Sequence, residues 1–148
     1  MNLDQILTKL ISFKTVSETS NEEIVVFIID FLKKYGVKSK KIKGDTGRFN
    51  VHSIIGPNVE GGVIFSGHTD VVPTQGQIWT SNPFKLTKKG NKFYGRGTTD
   101  MKGFIAVVLC LVKDIKIEKL KRPIHLVFSY DEEIGCIGIQ KFMPFLEK

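Results

Sequence analysis

The sequence contains few cysteines, no long apolar run and fewer acidic than basic side chains. Each of these features excludes a class of protein. The 148 residues include only 2 cysteines, and neither lies in the C-x-x-C spacing of a thiolate metal site. We interpret Cys110 and Cys136 as reduced thiols that pack as small hydrophobic side chains in a cytoplasmic protein. No apolar run approaches the roughly 20 residues that span a bilayer, and "MNLDQILTKL" lacks the apolar core of a signal peptide. We therefore expect no membrane partner.

Basic side chains outnumber acidic ones by 22 to 15 and give a formal net charge of +7. The lysines are scattered through "KSKKIK", "KLTKKGNK" and "KDIKIEKLKR" and do not gather on one element. A nucleic-acid site needs a continuous basic surface, so we expect no specific nucleic-acid binding, only weak and salt-dependent contact. An acidic small molecule is the better candidate for a partner. The length is that of one domain.

Hydrophobic periodicity and turn residues predict an α/β fold. Apolar side chains from Leu3 to Ile11 share one helical face. A second helix follows "TSN", where Ser20 or Asn21 can cap it, and it ends at Gly36. The expected strands are Val37–Lys43, Phe49–Ile55, Gly62–Ser66 and Pro123–Tyr130.

The arrangement of these strands follows from their apolar character. The first two are edge-like, the last two are buried, and a buried helix that starts near Asp100 connects the buried pair. This strand–helix–strand unit requires a parallel pairing. We therefore predict a mixed, mostly parallel sheet with helices on both faces. The residues from Thr69 to Thr99 have little regular structure, which is typical of functional segments, and a last helix starts near Gly135 and bends or ends near Pro144.

Titratable side chains follow both buried strands of the predicted sheet. His68 and Asp70 come after the third strand in "FSGHTDVVP", and the "DEE" triplet at 131–133 comes after the fourth. Asp100 lies at the start of the helix that connects them. Because ligands in open α/β sheets bind beyond the carboxyl ends of the strands, we expect these side chains to meet at one edge of the sheet.

Each of these groups also has a purely structural interpretation. Asp100 can serve as a helix cap, His68 as a hydrogen-bonded loop residue, and "DEE" as a solvated acidic turn. His52 and His125 lie within predicted strands, and we interpret both as structural. The functional interpretation rests on three segments reaching the same edge, where adjacent carboxylates repel one another unless a cation lies between them.

One imidazole with several carboxylates is a ligand set typical of zinc, cobalt or manganese. Asp70, two residues after His68, can orient the ring by accepting its second N–H. Side chains alternate along an extended backbone, so one of Glu132 and Glu133 can bind metal while the other faces a reacting water. Such a carboxylate can accept the proton of a metal-activated water. The residues therefore predict metal-assisted hydrolysis.

Three motifs in this order resemble those of the dinuclear zinc amidohydrolases and peptidases. They are "SGHTDVVP", "YGRGTTDMKGF" and "DEEIGCIG", with Trp79 and Pro83–Phe84 between the first two. That family includes acetylornithine deacetylases, succinyl-diaminopimelate desuccinylases, carboxypeptidases and aminoacylases. The resemblance runs over essentially the whole chain, and "SYDEEIGCIG" with "TVSETSN" is most similar to the acetylornithine deacetylase branch. It implies a zinc-aminopeptidase-like catalytic domain.

The resemblance also implies a role for each candidate residue. His68 corresponds to the first metal ligand and Asp70 to the carboxylate that orients it. Asp100 corresponds to the aspartate that bridges two metal ions, and the peptide bond after it is expected to be cis. Glu132 corresponds to the general base and Glu133 to a ligand of the second metal. The implied cofactor is two zinc ions, with cobalt as an alternative.

One departure from the family pattern lies on the C-terminal side. In the family a further acidic ligand follows the Glu-Glu pair, a further His ligand lies near the far C-terminus, and a lid domain lies between them. The sequence ends at Lys148, before these features. We therefore expect residues 1–148 to be the N-terminal part of a single metallohydrolase catalytic domain, without the lid and dimerisation domain.

The function that the resemblance implies is removal of the acetyl group from N2-acetyl-L-ornithine, a step of arginine biosynthesis. The complete enzyme is expected to be a homodimer whose substrate is a small N-acyl amino acid. Desuccinylation of succinyl-diaminopimelate and peptide cleavage are alternatives, because the family's substrate-reading groups lie largely beyond residue 148. An alternative of another class is an inactive fragment that binds metal weakly or not at all.

Overall fold

The computed structural model describes residues 1–45 and 47–145. Helix α1 (Leu3–Ser12) starts with a reciprocal cap: the Asn2 side chain accepts from the Gln5 N–H, and the Gln5 side chain accepts from the Asn2 N–H. This cap satisfies two backbone donors that a helix start otherwise leaves unpaired. Burial of each large apolar side chain contributes about 1.5–3 kcal/mol. As the periodicity predicts, the buried face consists of Ile6, Leu7, Leu10 and Ile11.

Helix α2 (Glu22–Lys33) is tied to the sheet by the residue before it. The Asn21 side chain makes no capping bond and instead exchanges two 2.8 Å hydrogen bonds with the backbone of Phe49. Of the two predicted caps, Ser20 supplies the contact, since its Oγ accepts from the Glu22 N–H at 3.3 Å. Gly36 follows the helix with a φ of 74°, a conformation that favours glycine.

Four strands form a mixed sheet in the order β1 (Ser39–Lys43), β2 (Phe49–Ile55), β6 (Ile124–Ser129) and β3 (Val63–His68). Strands β4 (Thr87–Lys89) and β5 (Lys92–Tyr94) form a separate hairpin. The pairings β1–β2 and β2–β6 are antiparallel, and β3–β6 is parallel. The other helices described are α3 (Lys102–Val112) and α4 (Ile137–Phe142), and a 3₁₀ turn covers Ile117–Lys119.

Helices cover both faces of the sheet, as predicted. On one face, α1, α2 and α3 enclose the main core with side chains of β2 and β6, including Leu126 and Phe128. On the other face, α4 packs Phe142 against Val127 of β6. The alternation of these three β6 residues between the faces follows from the two-residue period of a strand.

The sheet differs from the prediction in the place of two strands. β3, predicted as buried, is an edge strand among the described residues, and its Val63 and Ile64 are 56% and 52% exposed. β2, predicted as edge-like, lies between β1 and β6. Of the three pairings described, one is parallel, so the sheet is mixed with a smaller parallel share than expected. A short apolar run has the same composition in both positions, and tertiary pairing decides between them.

The residues between β3 and α3 are mostly irregular, as predicted, apart from the β4–β5 hairpin and one bridge between Val71 and Val16. At the C-terminal side, α4 is followed by a 3₁₀ turn at Met143–Phe145, and the last three residues of the predicted helix lie outside the described part. Within that part, no helix is long and apolar enough to span a bilayer.

The two cysteines have different surroundings. Cys110 in α3 is partly buried, whereas Cys136 is exposed. The interpretation of Cys136 as a buried hydrophobic side chain is therefore wrong, because it lies in the turn that follows β6 and not in an apolar element.

Candidate metal centre

The three segments singled out in the sequence meet at the carboxyl ends of β3 and β6. His68 is the last residue of β3, Asp100 precedes α3, and Glu133 lies in the turn after β6. The His68 Nε2 atom is 3.0 Å from Asp100 Oδ1. One ligand atom from each of these three residues lies within 4.8 Å of the other two. The structure thus brings the predicted metal ligands to one point.

Glu132 lies beside this group and is not part of it. Its Oε2 atom is 3.6 Å from His68 Nε2, and its side chain is 43% exposed. The carboxylate can therefore reach solvent and the candidate metal position at the same time. This placement suits a group that exchanges protons with a reacting water.

Two carboxyl-bearing residues hold the His68 ring. The Nδ1 atom lies 3.0 Å from the Asp70 carbonyl oxygen and 3.4 Å from Asp70 Oδ1, while Nε2 faces Asp100. Burial disfavours the imidazolium, but the hydrogen bonds to Asp70 and Asp100 outweigh it and raise the pKa of His68 to about 9. A metal ion that binds here has to displace this proton.

The Asp70 carboxylate is buried and accepts three further hydrogen bonds. Its Oδ2 accepts from the Ser17 hydroxyl at 2.7 Å and from the Glu133 N–H at 3.3 Å, and Oδ1 accepts from the Glu132 N–H at 3.1 Å. Burial favours the neutral acid, but the bonds from His68, Ser17 and Glu132 outweigh it and lower the pKa of Asp70. Asp70 therefore stays ionised and joins the His68 ring to the Glu132–Glu133 turn.

Asp100 does not cap α3, so its structural interpretation is excluded. The helix starts at Lys102 after Met101, and no side chain makes a capping bond to it in the described structure. The Asp100–Met101 peptide bond is cis, as the resemblance implied. The Asp100 side chain is 70% exposed and faces His68, which leaves its second oxygen accessible.

The charges at this point fit a divalent cation. Burial first, and the nearby Asp100 carboxylate next, raise the pKa of Glu133, which shows that its negative charge is poorly compensated by the protein. Carboxylate oxygens with one imidazole nitrogen form a donor set that zinc, cobalt and manganese accept. A dication between them relieves the repulsion. The residues present therefore fit the metal that the sequence predicts.

Two buried charged side chains near the site were not distinguished by sequence reasoning. Lys102 is fully buried, and its Nζ donates to the Phe13 carbonyl oxygen at 2.6 Å. Burial lowers the pKa of Lys102 to about 7, although the Asp70 charge acts in the opposite sense. The sequence does not separate Asp131 from the two glutamates that follow it, whereas the structure shows that Asp131 is buried. For Lys102 the available sequence signal is its place two residues after a candidate metal ligand, in "DMKGF".

His52 and His125 lie away from the metal candidates, within β2 and near the start of β6. Their rings stack with centroids 5.4 Å apart, and His52 Nε2 is 3.1 Å from His125 Nδ1. The rings of His52 and Phe142 also meet in an edge-to-face arrangement, with centroids 5.2 Å apart. These contacts agree with the structural interpretation.

Comparison with known proteins identifies a family whose sequences are similar to this chain. Residues 64–148, more than half of the chain, match peptidase family M20/M25/M40. Over 146 residues the chain is 36% identical to an acetylornithine deacetylase from Shigella sonnei and 34% identical to one from Photorhabdus laumondii. Each match covers 93% of this chain, which spans 38% of the length of these curated relatives.

Solved structures show the same fold. An M20 family metallo-carboxypeptidase from Sulfolobus solfataricus superposes with a TM-score of 0.84 at 24% identity, covering 97% of this chain and 34% of that chain. Human carnosine dipeptidase 1 superposes with a TM-score of 0.79 at 22% identity, covering 95% of this chain and 34% of that chain. At these identities the likeness concerns the fold alone. The predicted metallopeptidase-like α/β fold with a mixed sheet is thereby confirmed.

Proposed function

This chain belongs to peptidase family M20/M25/M40, and on that premise we propose that it carries the metal ligands and the base of an enzyme that deacetylates N2-acetyl-L-ornithine. The observation that carries the proposal is the meeting of His68, Asp100 and Glu133 within 4.8 Å. The substrate is supported by two relatives that are named acetylornithine deacetylase. The reaction of a whole enzyme is part of the proposal, because the chain spans 38% of the length of those relatives.

His68, Asp100 and Glu133 are the residues that would hold the metal, with Asp100 shared between two ions. We propose zinc as the natural metal and cobalt as a functional substitute, since both accept this donor set. When bound, such ions activate a water molecule and polarise the amide carbonyl of the substrate. Asp70 holds the His68 ring from the opposite side through Nδ1.

Glu132 is the proposed general base. Its carboxylate lies 3.6 Å from His68 Nε2, next to the proposed metal position. It takes a proton from the attacking water and passes it to the leaving α-nitrogen as the amide C–N bond breaks, which gives acetate and ornithine. Asp70 accepts the Glu132 N–H and thereby fixes the backbone that carries the base.

The proposal extends to the setting of this reaction. We place it in the cytoplasm, in arginine biosynthesis, with a small N-acyl amino acid as the substrate and a homodimer as the complete enzyme. Residues 1–148 contribute part of one catalytic domain. The resemblance of the three motifs to the family supports the pathway, the substrate class and the homodimer, and the interpretation of the cysteines as reduced thiols supports the location.

Hydrolysis assays with three substrates test the proposed function. Acetate release from N2-acetyl-L-ornithine is compared with succinate release from succinyl-diaminopimelate and with dipeptide cleavage, each with added zinc or cobalt. N2-acetyl-L-ornithine should be turned over fastest, and Glu132→Gln should lower the rate by about 100-fold or more. Preferred dipeptide cleavage would assign a peptidase. A metal-loaded chain that hydrolyses none of the three would contradict the proposal for residues 1–148.

A further inference from the structure

The Asp131 carboxylate is a buried charge that the proposed chemistry does not use. Its side chain is 1% exposed, and it pairs with the Arg48 guanidinium through Oδ2. Its Oδ1 accepts from the Glu18 N–H at 2.8 Å. The residue has a φ of 50°, a left-handed conformation that is uncommon for a residue with a side chain. Both oxygens of Asp131 are thus held by segments that are distant in sequence.

Arg48 reaches Asp131 from the connection between β1 and β2. Its guanidinium carbon lies 5.7 Å from the centre of the Tyr130 ring, and Nη2 is 4.0 Å from Asp45 Oδ2. The side chain is 19% exposed, and its buried Nε has no hydrogen-bond partner among the described residues. The ring on one side and two carboxylates on the others restrict the position of this arginine.

The turn after β6 is therefore held from two sides. On the side of the metal candidates, the Asp70 carboxylate accepts the N–H groups of Glu132 and Glu133. On the other side, the Asp131–Arg48 pair fixes the residue immediately before them. Glu132 and Glu133 carry like charges close to Asp70, so without these contacts repulsion would favour a more open turn.

We propose that Arg48 is a positioning residue for the candidate metal centre: through its ion pair with Asp131 it fixes the Glu132–Glu133 turn, so that Glu133 meets the other two ligands. This inference rests on the proposed metal-binding function. Arg48 is itself a cation, so its charge alone opposes the binding of a metal ion nearby. Removal of Arg48 should therefore weaken zinc binding if it acts by position, and strengthen zinc binding if it acts only by charge.

Three variants separate position from charge. Arg48→Lys keeps the charge but loses the planar guanidinium that can hold a carboxylate. Arg48→Met combined with Asp131→Asn removes both buried charges together, which avoids leaving an unpaired carboxylate that could unfold the chain. Lys43→Met removes an exposed cation from the end of β1, just before the same connection, and is the matched control. Urea unfolding establishes that each variant is folded before zinc is added.

Two readouts test the variants. Zinc affinity is measured by competition with a chromophoric chelator, and hydrogen exchange at the Glu132 and Glu133 amides is followed in the metal-free chain. The double variant should bind zinc about 10- to 100-fold more weakly, and Arg48→Lys should show a smaller loss in the same direction. Exchange at the two amides should be faster in both, while the Leu126 amide of β6 and the Lys43→Met control stay unchanged.

The outcomes distinguish this inference from the proposed function. Unchanged or tighter zinc binding in folded variants, with unchanged amide exchange, would overturn the positioning role and leave the metal site standing. If the unsubstituted chain binds no zinc, the proposed function of this chain is contradicted. The exchange rates of the Glu132 and Glu133 amides then test by themselves whether Arg48 positions the turn. Faster exchange in the Arg48 variants supports positioning of the turn, and equal exchange overturns it.

Discussion

The His68 ring lies between Asp70 and Asp100, and this arrangement makes metal binding compete with proton binding. Although burial disfavours the charged ring, the two aspartates raise the pKa of His68 to about 9. The metal-free ring is therefore protonated at neutral pH, and zinc has to release that proton. Apparent zinc affinity should rise by about tenfold per pH unit up to the His68 pKa and then level off.

Calorimetric titration in two buffers of different ionisation enthalpy measures this proton release directly. Near neutral pH, binding of zinc should release about one proton from His68. The Asp100→Asn variant removes one of the two carboxylates that raise this pKa, so it should release fewer protons with any zinc it still binds. A zinc affinity that does not change between neutral pH and the His68 pKa would contradict this account.

Neutral substitutions of the two adjacent glutamates are expected to have different effects on zinc affinity. Glu133 belongs to the group of ligand atoms within 4.8 Å, whereas Glu132 does not. Glu133→Gln should therefore weaken zinc binding by about tenfold or more. Glu132→Gln should keep zinc affinity within about threefold, because Glu132 donates to Asp70 through its backbone N–H and not through its side chain. Zinc loss in Glu132→Gln with retention in Glu133→Gln would show that the two roles are exchanged.

Among the elements, α3 carries a buried lysine in its first turn, and this gives the fold a measurable pH dependence. Burial lowers the pKa of Lys102 from 10.5 to about 7. Between these values the unfolded chain binds more protons at this site than the folded chain, so the Lys102 contribution to the free energy of unfolding rises with pH. His68 acts in the opposite sense, because its pKa is raised from 6.5 to about 9 and its contribution is lost over that range.

The Lys102→Met variant tests this pH dependence of the free energy of unfolding. The variant loses the hydrogen bond to the Phe13 carbonyl oxygen at every pH, but it also loses the contribution that rises with pH. Relative to the unsubstituted chain, its free energy of unfolding should therefore decrease steadily as the pH rises from about 7 to 9. Urea unfolding with a chelator present measures the difference, with the exposed Lys116→Met as the control. A difference that is constant with pH would show that Lys102 is ionised equally in both states.

For the whole molecule, the elements and the meeting of the titratable side chains could be predicted because both depend on local signals. Strand ends, helix starts and the parallel β3–β6 pairing are enough to bring His68, Asp100 and the Glu132–Glu133 turn to one edge of the sheet. The position of β3 at the edge could not be predicted, since "VIFS" is equally apolar in a central strand. Strand order depends on pairings between residues far apart in sequence.

The different environments of neighbouring acidic residues also could not be predicted from the sequence. Asp131 and Glu132 are adjacent and chemically alike, yet Asp131 is 1% exposed and Glu132 is 43% exposed. Asp131 pairs with Arg48, which lies 83 positions earlier in the chain. Likewise, the bond from Ser17 to Asp70 spans 53 positions. No local pattern specifies such contacts, because they arise only when the sheet assembles.

Residues from three separate segments of the chain form the candidate metal centre. The most direct test is the zinc content of the 148-residue chain after dialysis, beside Asp100→Ala and the control Asp114→Ala, which removes an exposed carboxylate just after α3. The unsubstituted chain and Asp114→Ala should retain zinc, and the folded Asp100→Ala variant should lose it. Equal zinc in all three, or zinc in none, would show that these three segments do not form a metal centre.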